Sequence, residues 1–228
     1  GNLDIGDKGL GRLIEPDELL KVLNKQKGKI IVTSGPTYEE IDDVKVVTNK
    51  SSGKQGRALA IELSARGYQI VYIHSASIDR IPGLDNVSFH SSNDLKNKIL
   101  ENIINTDAIF MTAAVSDFTV KKSSGKISRS NGNITLEFIP NEDIIATIKS
   151  SYPEIKCIAF SAQVDDELNF NKINTKNVDY LVINNILKNK FGSDTNKVSI
   201  IDQQHLLFES EELDKNEISR DILNALEY

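Results

Sequence analysis

The chain reads as an α/β protein built on a Rossmann-like, doubly wound and mainly parallel sheet, with a C-terminal β-hairpin and one mobile flap. Three observations predict this. Short apolar runs alternate with helix-period segments over most of the 228 residues, and strands joined by helical crossovers pair in parallel with right-handed connections. The first such unit breaks, between its strand and its helix, into a polar loop punctuated by glycines. After Asn184 the rhythm changes to two β-type runs separated by a short polar turn.

The elements follow in order. Residues 1–15, GNLDIGDKGLGRLIE, are glycine-rich with few core candidates and read as an interdomain linker; residues 16–228 form the domain. Pro16 starts a helix to about Lys25, because proline is tolerated in a first turn. Ile30, Ile31 and Val32 centre a buried strand at 29–34, and a helix follows at 54–66. Further strands are predicted at 69–74, 86–90, 107–112, 155–160 and 179–183, with helices at 93–105, 141–150 and 166–176. Lys197 to Asp202 and His205 to Glu209 form the hairpin, and a last helix runs from about Lys215 to Leu226. The segment from Lys121 to Asn133, KKSSGKISRSNGN, is the internal stretch of low hydrophobicity; flanked by short β-prone pieces, it reads as the flap.

Composition narrows the function classes. With 39% hydrophobic and 26% charged residues, no apolar run long enough to cross a bilayer and no signal-peptide pattern, a cytoplasmic globule is expected. The single cysteine, Cys157, excludes an intrachain disulfide or a cysteine-built zinc site; inside an apolar strand it reads as a buried spectator. His74, His90 and His205 lie far apart in sequence and receive no role. A net charge of −6 argues against nucleic-acid binding, which needs a broad basic face. Residues 118–136 nevertheless hold Lys121, Lys122, Lys126 and Arg129 without an acidic residue, a local excess suited to a small polyanion.

The first loop suits phosphate. Gly35 lets backbone approach a ligand, and Ser51, Ser52 and Gly53 place hydroxyls and free amides at a helix start, where anions bind favourably. Neither a P-loop nor a G-x-G-x-x-G fingerprint is present. Ligands of open parallel sheets gather beyond the carboxyl ends of the strands, and Asn49, Asp117, Phe160 and Asn184 all fall there, which points to one shared site. Taken singly each has a plainer reading. Asn49 and Asp117 suit turns, Phe160 suits the core, and Lys172 and Lys176, about 5–6 Å apart at Cβ on one helix face, suit a solvated surface balanced by Asp165, Asp166 and Glu167.

The order of residues is more specific. SGPTYEEIDDVKVVTNKSSGKQG, residues 34–56, resembles the signature of the phosphopantothenoylcysteine synthetase family. Downstream matches follow in sequence: residues 113–118 (AAVSDF), 125–127 (GKI), 141–144 (NEDI), 159–162 (AFSA), 172–176 (KINTK) and 191–194 (FGSD). Tyr38 and Lys45 stand where the family usually has arginines, Asp43 and Glu142 where it has prolines, and Gln163 where it has a glutamate.

The resemblance implies a ligase of coenzyme A biosynthesis that joins 4′-phosphopantothenate to L-cysteine through an acyl-cytidylate, converting CTP to CMP and pyrophosphate. It implies nucleotide contacts from Met111, Thr112, Ala113, Asp117, Glu142, Asp143, Ile144, Ile145 and Phe160, with Lys172 and Lys176 on the phosphates. Lys126 would be a catalytic lysine of the flap that closes on the nucleotide. Asn49 would serve the acyl intermediate and its onward reaction, with Ser51, Ser52 and Gly53 on the substrate. Mg²⁺ is the implied cofactor, with no protein ligand named. The stretch GDKGLGRLIEPDEL resembles the junction to a flavin-dependent phosphopantothenoylcysteine decarboxylase, so an N-terminal fusion is expected, with the flavin in that other half and none in this chain. Exposed strand edges, and the pairing of synthetase domains in the family, imply a homodimer. The same sheet would also suit a nicotinamide-dependent reductase or a non-catalytic nucleotide-binding domain; the absent glycine fingerprint counts against the first.

Overall fold

The computed structural model describes residues 27–164, 168, 170–185 and 192–228. The predicted linker at 1–15 and helix from Pro16 lie outside these residues. Strand β1 (Lys29–Ser34) leads through a small hairpin, β2 (Tyr38–Glu40) and β3 (Val46–Thr48), into α1 (Lys54–Ala65) and β4 (Gln69–Ser75). Next come β5 (Asp85–Phe89), α2 (Ser92–Glu101) and β6 (Ala108–Met111). A second hairpin, β7 (Phe118–Val120) and β8 (Phe138–Pro140), precedes α3 (Ile144–Ser151), β9 (Lys156–Gln163), α4 (Phe170–Lys176) and β10 (Tyr180–Asn185). The described chain finishes with β11 (Thr195–Asn196), β12 (Val198–Ile201), β13 (Leu206–Glu209), β14 (Leu213–Asp214) and α5 (Lys215–Ala225).

Eight of these strands make one sheet in the order β13-β12-β10-β9-β6-β1-β4-β5. The six from β10 to β5 are parallel, and β12 and β13, the predicted hairpin, add to the β10 edge antiparallel. From β1 the chain winds outward to β4 and β5, then returns to β6 and winds the other way. The reversal between β1 and β6 opens the crevice in which such sheets bind ligands.

Both faces of the sheet are apolar because both are covered. In register, Ile31, Ile109 and Cys157 face the layer made by α2, α3 and α4, where Leu95, Ile99, Ile148 and Ile173 pack on them. Ile30, Val32, Phe110 and Ile158 face the other way, under Leu59 and Leu63 of α1 and Ile218 and Ile222 of α5. Each such side chain is worth about 1.5–3 kcal/mol on full burial. Cys157 is fully buried in this core, and burial pushes its thiol up to about 12, so it is the inert residue expected.

Helix starts differ from one another in a way that matters for the site. Ser91 caps α2, Asp143 caps α3 and Asp214 caps α5, each accepting a first-turn amide. This is why the helix predicted from 141 begins at Ile144. Only α1, among these, starts without a side-chain cap; its N-cap is Gly53 in the left-handed region. Strand β9 also runs past the predicted end at 160, because Ser161, Ala162 and Gln163 stay in register with Ile183, Asn184 and Asn185.

Candidate active site

A cleft of about 860 Å³ lies beyond the carboxyl ends of β1, β6, β9 and β10. Asn49, Asp117, Phe160 and Asn184, the four residues expected to converge, all line it. Around them stand Ser51, Ser52 and Gly53 from the first loop, Met111, Thr112 and Ala113 from the end of β6, and Glu142, Asp143, Ile144 and Ile145 from the start of α3. Lys172 and Lys176 project into it from α4.

Close backbone packing holds this wall. Gly53 has φ 68°, and a Cβ there would collide with Ile78 and with Ser34 Oγ; at Gly56 a Cβ would run into Thr112 and Ser34. These two glycines let the open end of α1 press against the ends of β1 and β6. Ser34 Oγ donates to Gly53 O at 2.9 Å, Thr112 Oγ1 donates to Thr33 O, and Ala113 N donates to Thr33 Oγ1 at 3.1 Å. The Asn49 amide donates to Val115 O at 2.9 Å and Ala114 O at 3.3 Å, tying the first loop to the one after β6. Asn141 Nδ2 ties that loop in turn to α3, donating to Ser116 O at 2.9 Å.

The lysines sit in two groups on opposite faces of the sheet. On the α4 side, Lys172 Nζ donates to Ser161 Oγ at 2.7 Å, and Lys176 Nζ pairs with Asp143 Oδ2 at 2.8 Å. Asp165, Asp166 and Glu167, weighed in sequence as their counter-charges, lie outside the described residues. Glu142 is held by Lys96 Nζ at 2.6 Å and Thr147 Oγ1 at 2.6 Å; the Lys96 ammonium first, and then the Thr147 hydroxyl, lower its carboxyl below the usual range. On the α1 and α5 side, Lys54 Nζ contacts Asp194 Oδ1 at 2.5 Å and Gly192 O at 3.1 Å, and Lys215 Nζ donates to Ser193 O. Sequence reasoning missed Lys54 and Lys215. Lys54 lay inside the matched S-S-G-K stretch, but only its neighbours were given a role, and Lys215 read simply as a helix start.

Lys126 is exposed on the flap and is not among the residues that line the cleft. The flap, carried between β7 and β8, is tied instead to the turn between β2 and β3. Asp42, 1% exposed, accepts from Ile127 N at 2.9 Å, from Val44 N and Lys45 N at 2.7 Å each, and from Lys45 Nζ at 2.6 Å. Asp43 accepts from Gly125 N at 3.0 Å and pairs with Lys122 at 3.1 Å. Lys45 and Asp43, two departures from the family pattern, thus serve to anchor the flap. Tyr38, a third, stacks on His90 with ring centroids 5.4 Å apart. At Gln163 the side-chain amide Nε2 is buried without a partner, and nothing in the structure explains that substitution.

The anchor is expected to weaken in acid. The Lys45 ammonium, and then the backbone amides of Ile127, Val44 and Lys45, hold the Asp42 carboxyl far below its ordinary value against the opposing effect of burial. A depressed folded-state pKa contributes stability above the unfolded value of about 3.9 and loses it as pH falls toward the folded one. Asp42→Asn should therefore lower the melting temperature at pH 7, with the gap to wild type narrowing only below about pH 4. A gap that is constant from pH 7 to pH 3 would contradict this account of the anchor.

An α/β sheet whose switch-point crevice combines an uncapped helix start with lysines from both faces has the charge and the free amides that suit phosphate-bearing ligands. The model of the family described as the DNA/pantothenate metabolism flavoprotein C-terminal domain matches residues 25–228, and the chain belongs to that family. It is 32% identical over 243 aligned residues to the coenzyme A biosynthesis bifunctional protein CoaBC of Bacillus subtilis (strain 168), covering 99% of this chain and 60% of that protein. A crystal structure of the C-terminal domain of a CoaBC protein superposes with a TM-score of 0.70 at 28% identity, over 89% of this chain and 96% of the other. A mutant of Cab2 in complex with phosphopantothenate-cysteine shares the fold, with a TM-score of 0.59 at 17% identity over 92% and 93% of the two chains.

Proposed function

We propose that this domain is a phosphopantothenate-cysteine ligase that works through an acyl-cytidylate. The observation that carries this reading is the gathering of Asn49, Asp117, Phe160, Lys172 and Lys176, distant in sequence, around one cleft at the switch point. The Cab2 complex with phosphopantothenate-cysteine, on the same fold, supports it. In the first half-reaction the 4′-phosphopantothenate carboxylate attacks the α-phosphorus of CTP. An O–P bond forms and the bond to the β-phosphate breaks, so that pyrophosphate leaves with the electron pair. In the second, the cysteine amine attacks the acyl carbon, CMP departs with the C–O electrons, and the amine loses a proton.

Two anions meet in the first step, so fixed positive charge aimed at the phosphates is the chief requirement. Lys172, Lys176 and the free amides at the start of α1 meet it. Phe160 offers a face to the cytosine, and Asp117, exposed at the cleft edge, suits the ribose hydroxyls. Among the described residues no group of three or more His, Cys, Asp or Glu side chains could hold a metal ion, and both oxygens of Asp143 are engaged by Ala146 N and Lys176, so Mg²⁺ would be held chiefly by phosphate oxygens of CTP and retained waters, where it would neutralise charge on the nucleotide. Lys126 joins by closure of the flap, which also keeps water from the mixed anhydride. Lys126→Gln should slow acyl-cytidylate formation by about 10²-fold with an unchanged melting temperature, since the side chain is exposed. Wild-type turnover in that variant would remove Lys126 from the mechanism.

We also propose that the domain pairs with a second copy and follows a decarboxylase half, as the bifunctional relative's greater length suggests. Val44, Val46, Phe118, Phe138 and Ile139 on the two small hairpins are all at least 40% exposed, an apolar surface that a second copy would cover. Sedimentation of the domain at micromolar concentration should show a dimer, and Phe138→Lys should shift it toward the 25.3 kDa monomer; a monomeric wild type would refute the pairing. Among the described residues no helix is long and apolar enough to cross a membrane, and we take the site of action to be the cytoplasm. Incubation with CTP, Mg²⁺, 4′-phosphopantothenate and cysteine tests the reaction itself: the amide product should appear only in the complete mixture. Its absence there would overturn the assignment.

A further inference from the structure

We propose that Thr37 is a positioning residue for the transfer to cysteine, holding the loop after β6 so that the backbone amides of Val115 and Asp117 receive the acyl oxygen as it becomes an oxyanion. The loop, residues 112–117, lines the cleft throughout. Most of its amides are taken. Thr112 N donates to Phe110 O at 3.1 Å, Ala113 N to Thr33 Oγ1 at 3.1 Å, Ala114 N to Gly35 O at 2.9 Å and Ser116 N to Thr37 Oγ1 at 3.0 Å. Among the described residues nothing pairs with the amides of Val115 and Asp117. An amide fixed at a cleft wall and left open is a donor for a ligand oxygen.

Thr37 is fully buried and tied to three neighbours at once. Its N donates to Ala114 O at 3.3 Å, its Oγ1 accepts from Ser116 N, and its carbonyl accepts from Thr48 Oγ1 at 2.8 Å. It is not among the residues that line the cleft, so it acts through Ser116, which stands between the two open amides. From the other side Asn49 holds the carbonyls of Ala114 and Val115, and Asn141 holds that of Ser116. With those carbonyls occupied, this stretch offers N–H rather than C=O to an incoming oxygen. The second half-reaction needs such a donor. As the cysteine amine attacks, the carbonyl electron pair of the mixed anhydride moves onto oxygen; C=O then re-forms, CMP leaves with the C–O electrons, and the new amide nitrogen gives its extra proton to solvent. The charge on that oxygen exists only between attack and collapse, so a fixed donor speeds transfer without tightening the ground state. The first half-reaction develops no charge there.

This role rests on the ligase reading above, and single-turnover measurements keep the two apart. A backbone ester at Val115 or at Asp117, made by incorporating the α-hydroxy analogue of the residue, deletes one N–H and leaves the side chain. At Val115 it also weakens the Ala114 carbonyl, but only as acceptor of two contacts of 3.3 Å, and Asn49 keeps its 2.9 Å bond to Val115 O. Either ester should slow transfer to cysteine by about 10²-fold, the effect of losing one oxyanion donor, with formation of the acyl-cytidylate unchanged. Thr37→Val, which leaves Ser116 N unpaired, should slow the same step by about tenfold, the scale of one hydrogen bond. Thr37→Ser, which keeps the hydroxyl, should restore it. Both half-reactions slowed alike by Thr37→Val, or no rescue by Thr37→Ser, would mark Thr37 as merely structural and overturn its positioning role. Transfer at the wild-type rate in both ester variants would overturn the donors while leaving the ligase reading intact. Wild-type protein that makes no amide product would overturn the ligase reading, and this role with it.

Discussion

Neutralising Lys172 and Lys176 together is expected to reduce pyrophosphate release by about 10²–10³-fold or more, the range found when a charge-stabilising donor is removed from an active site. The fold should tolerate the change. Among the described residues of α4 only Ile173 is buried, and both lysines face the cleft. Asp143 would lose its ion pair with Lys176 but keep its bond to Ala146 N, so α3 stays capped. Lys172→Gln alone should show most of the loss, because its described partner is the neutral Ser161 hydroxyl rather than a carboxylate. Groups acting on one phosphate chain are not additive, so the double variant should fall short of the product of the single effects. A drop of less than threefold in the double variant, measured at saturating cysteine, would remove this pair from the triphosphate.

Asn49→Asp should separate the half-reactions. The substitution replaces two donated hydrogen bonds, to Val115 O and Ala114 O, with a carboxylate facing two carbonyl oxygens, and it adds negative charge beside an anionic intermediate. Transfer to cysteine should fall by about 10²-fold, the scale of a small misplacement of reacting groups, while the acyl-cytidylate still forms and accumulates. Rapid quenching of a single turnover reads both steps. If both are unchanged, Asn49 is only a tie between loops. If both fall equally, its service is to the shape of the cleft and not to the second step.

Much of the sheet was legible because strands buried on both faces read as continuous apolar runs; Ile30 to Val32 and Cys157 to Ala159 stand out for that reason. The small hairpins were not. Strands β2 and β3 are three residues each, mixed with Glu39, Glu40 and Thr48, too short and polar for any period to show. Their contribution appears only in three dimensions, where Asp42 and Asp43 at their turn hold the flap. The cleft residues were found because order-specific motifs end at strand termini, where a parallel sheet must bring them together. Lys54 and Asp194 lie inside matched motifs and Lys215 does not, but no local spacing shows that the three meet. They meet because α1 and α5 pack side by side on one face, a consequence of tertiary packing alone.

The most direct measurement is a single turnover with α-labelled CTP, Mg²⁺ and 4′-phosphopantothenate in the absence of cysteine. One cleft serving an acyl-cytidylate should release pyrophosphate in proportion to enzyme sites and retain the label on an acyl-CMP species, which added cysteine converts to CMP and the amide. Pyrophosphate that appears only after cysteine is added, or release of CDP and inorganic phosphate instead, would contradict that chemistry and with it the role assigned to the cleft.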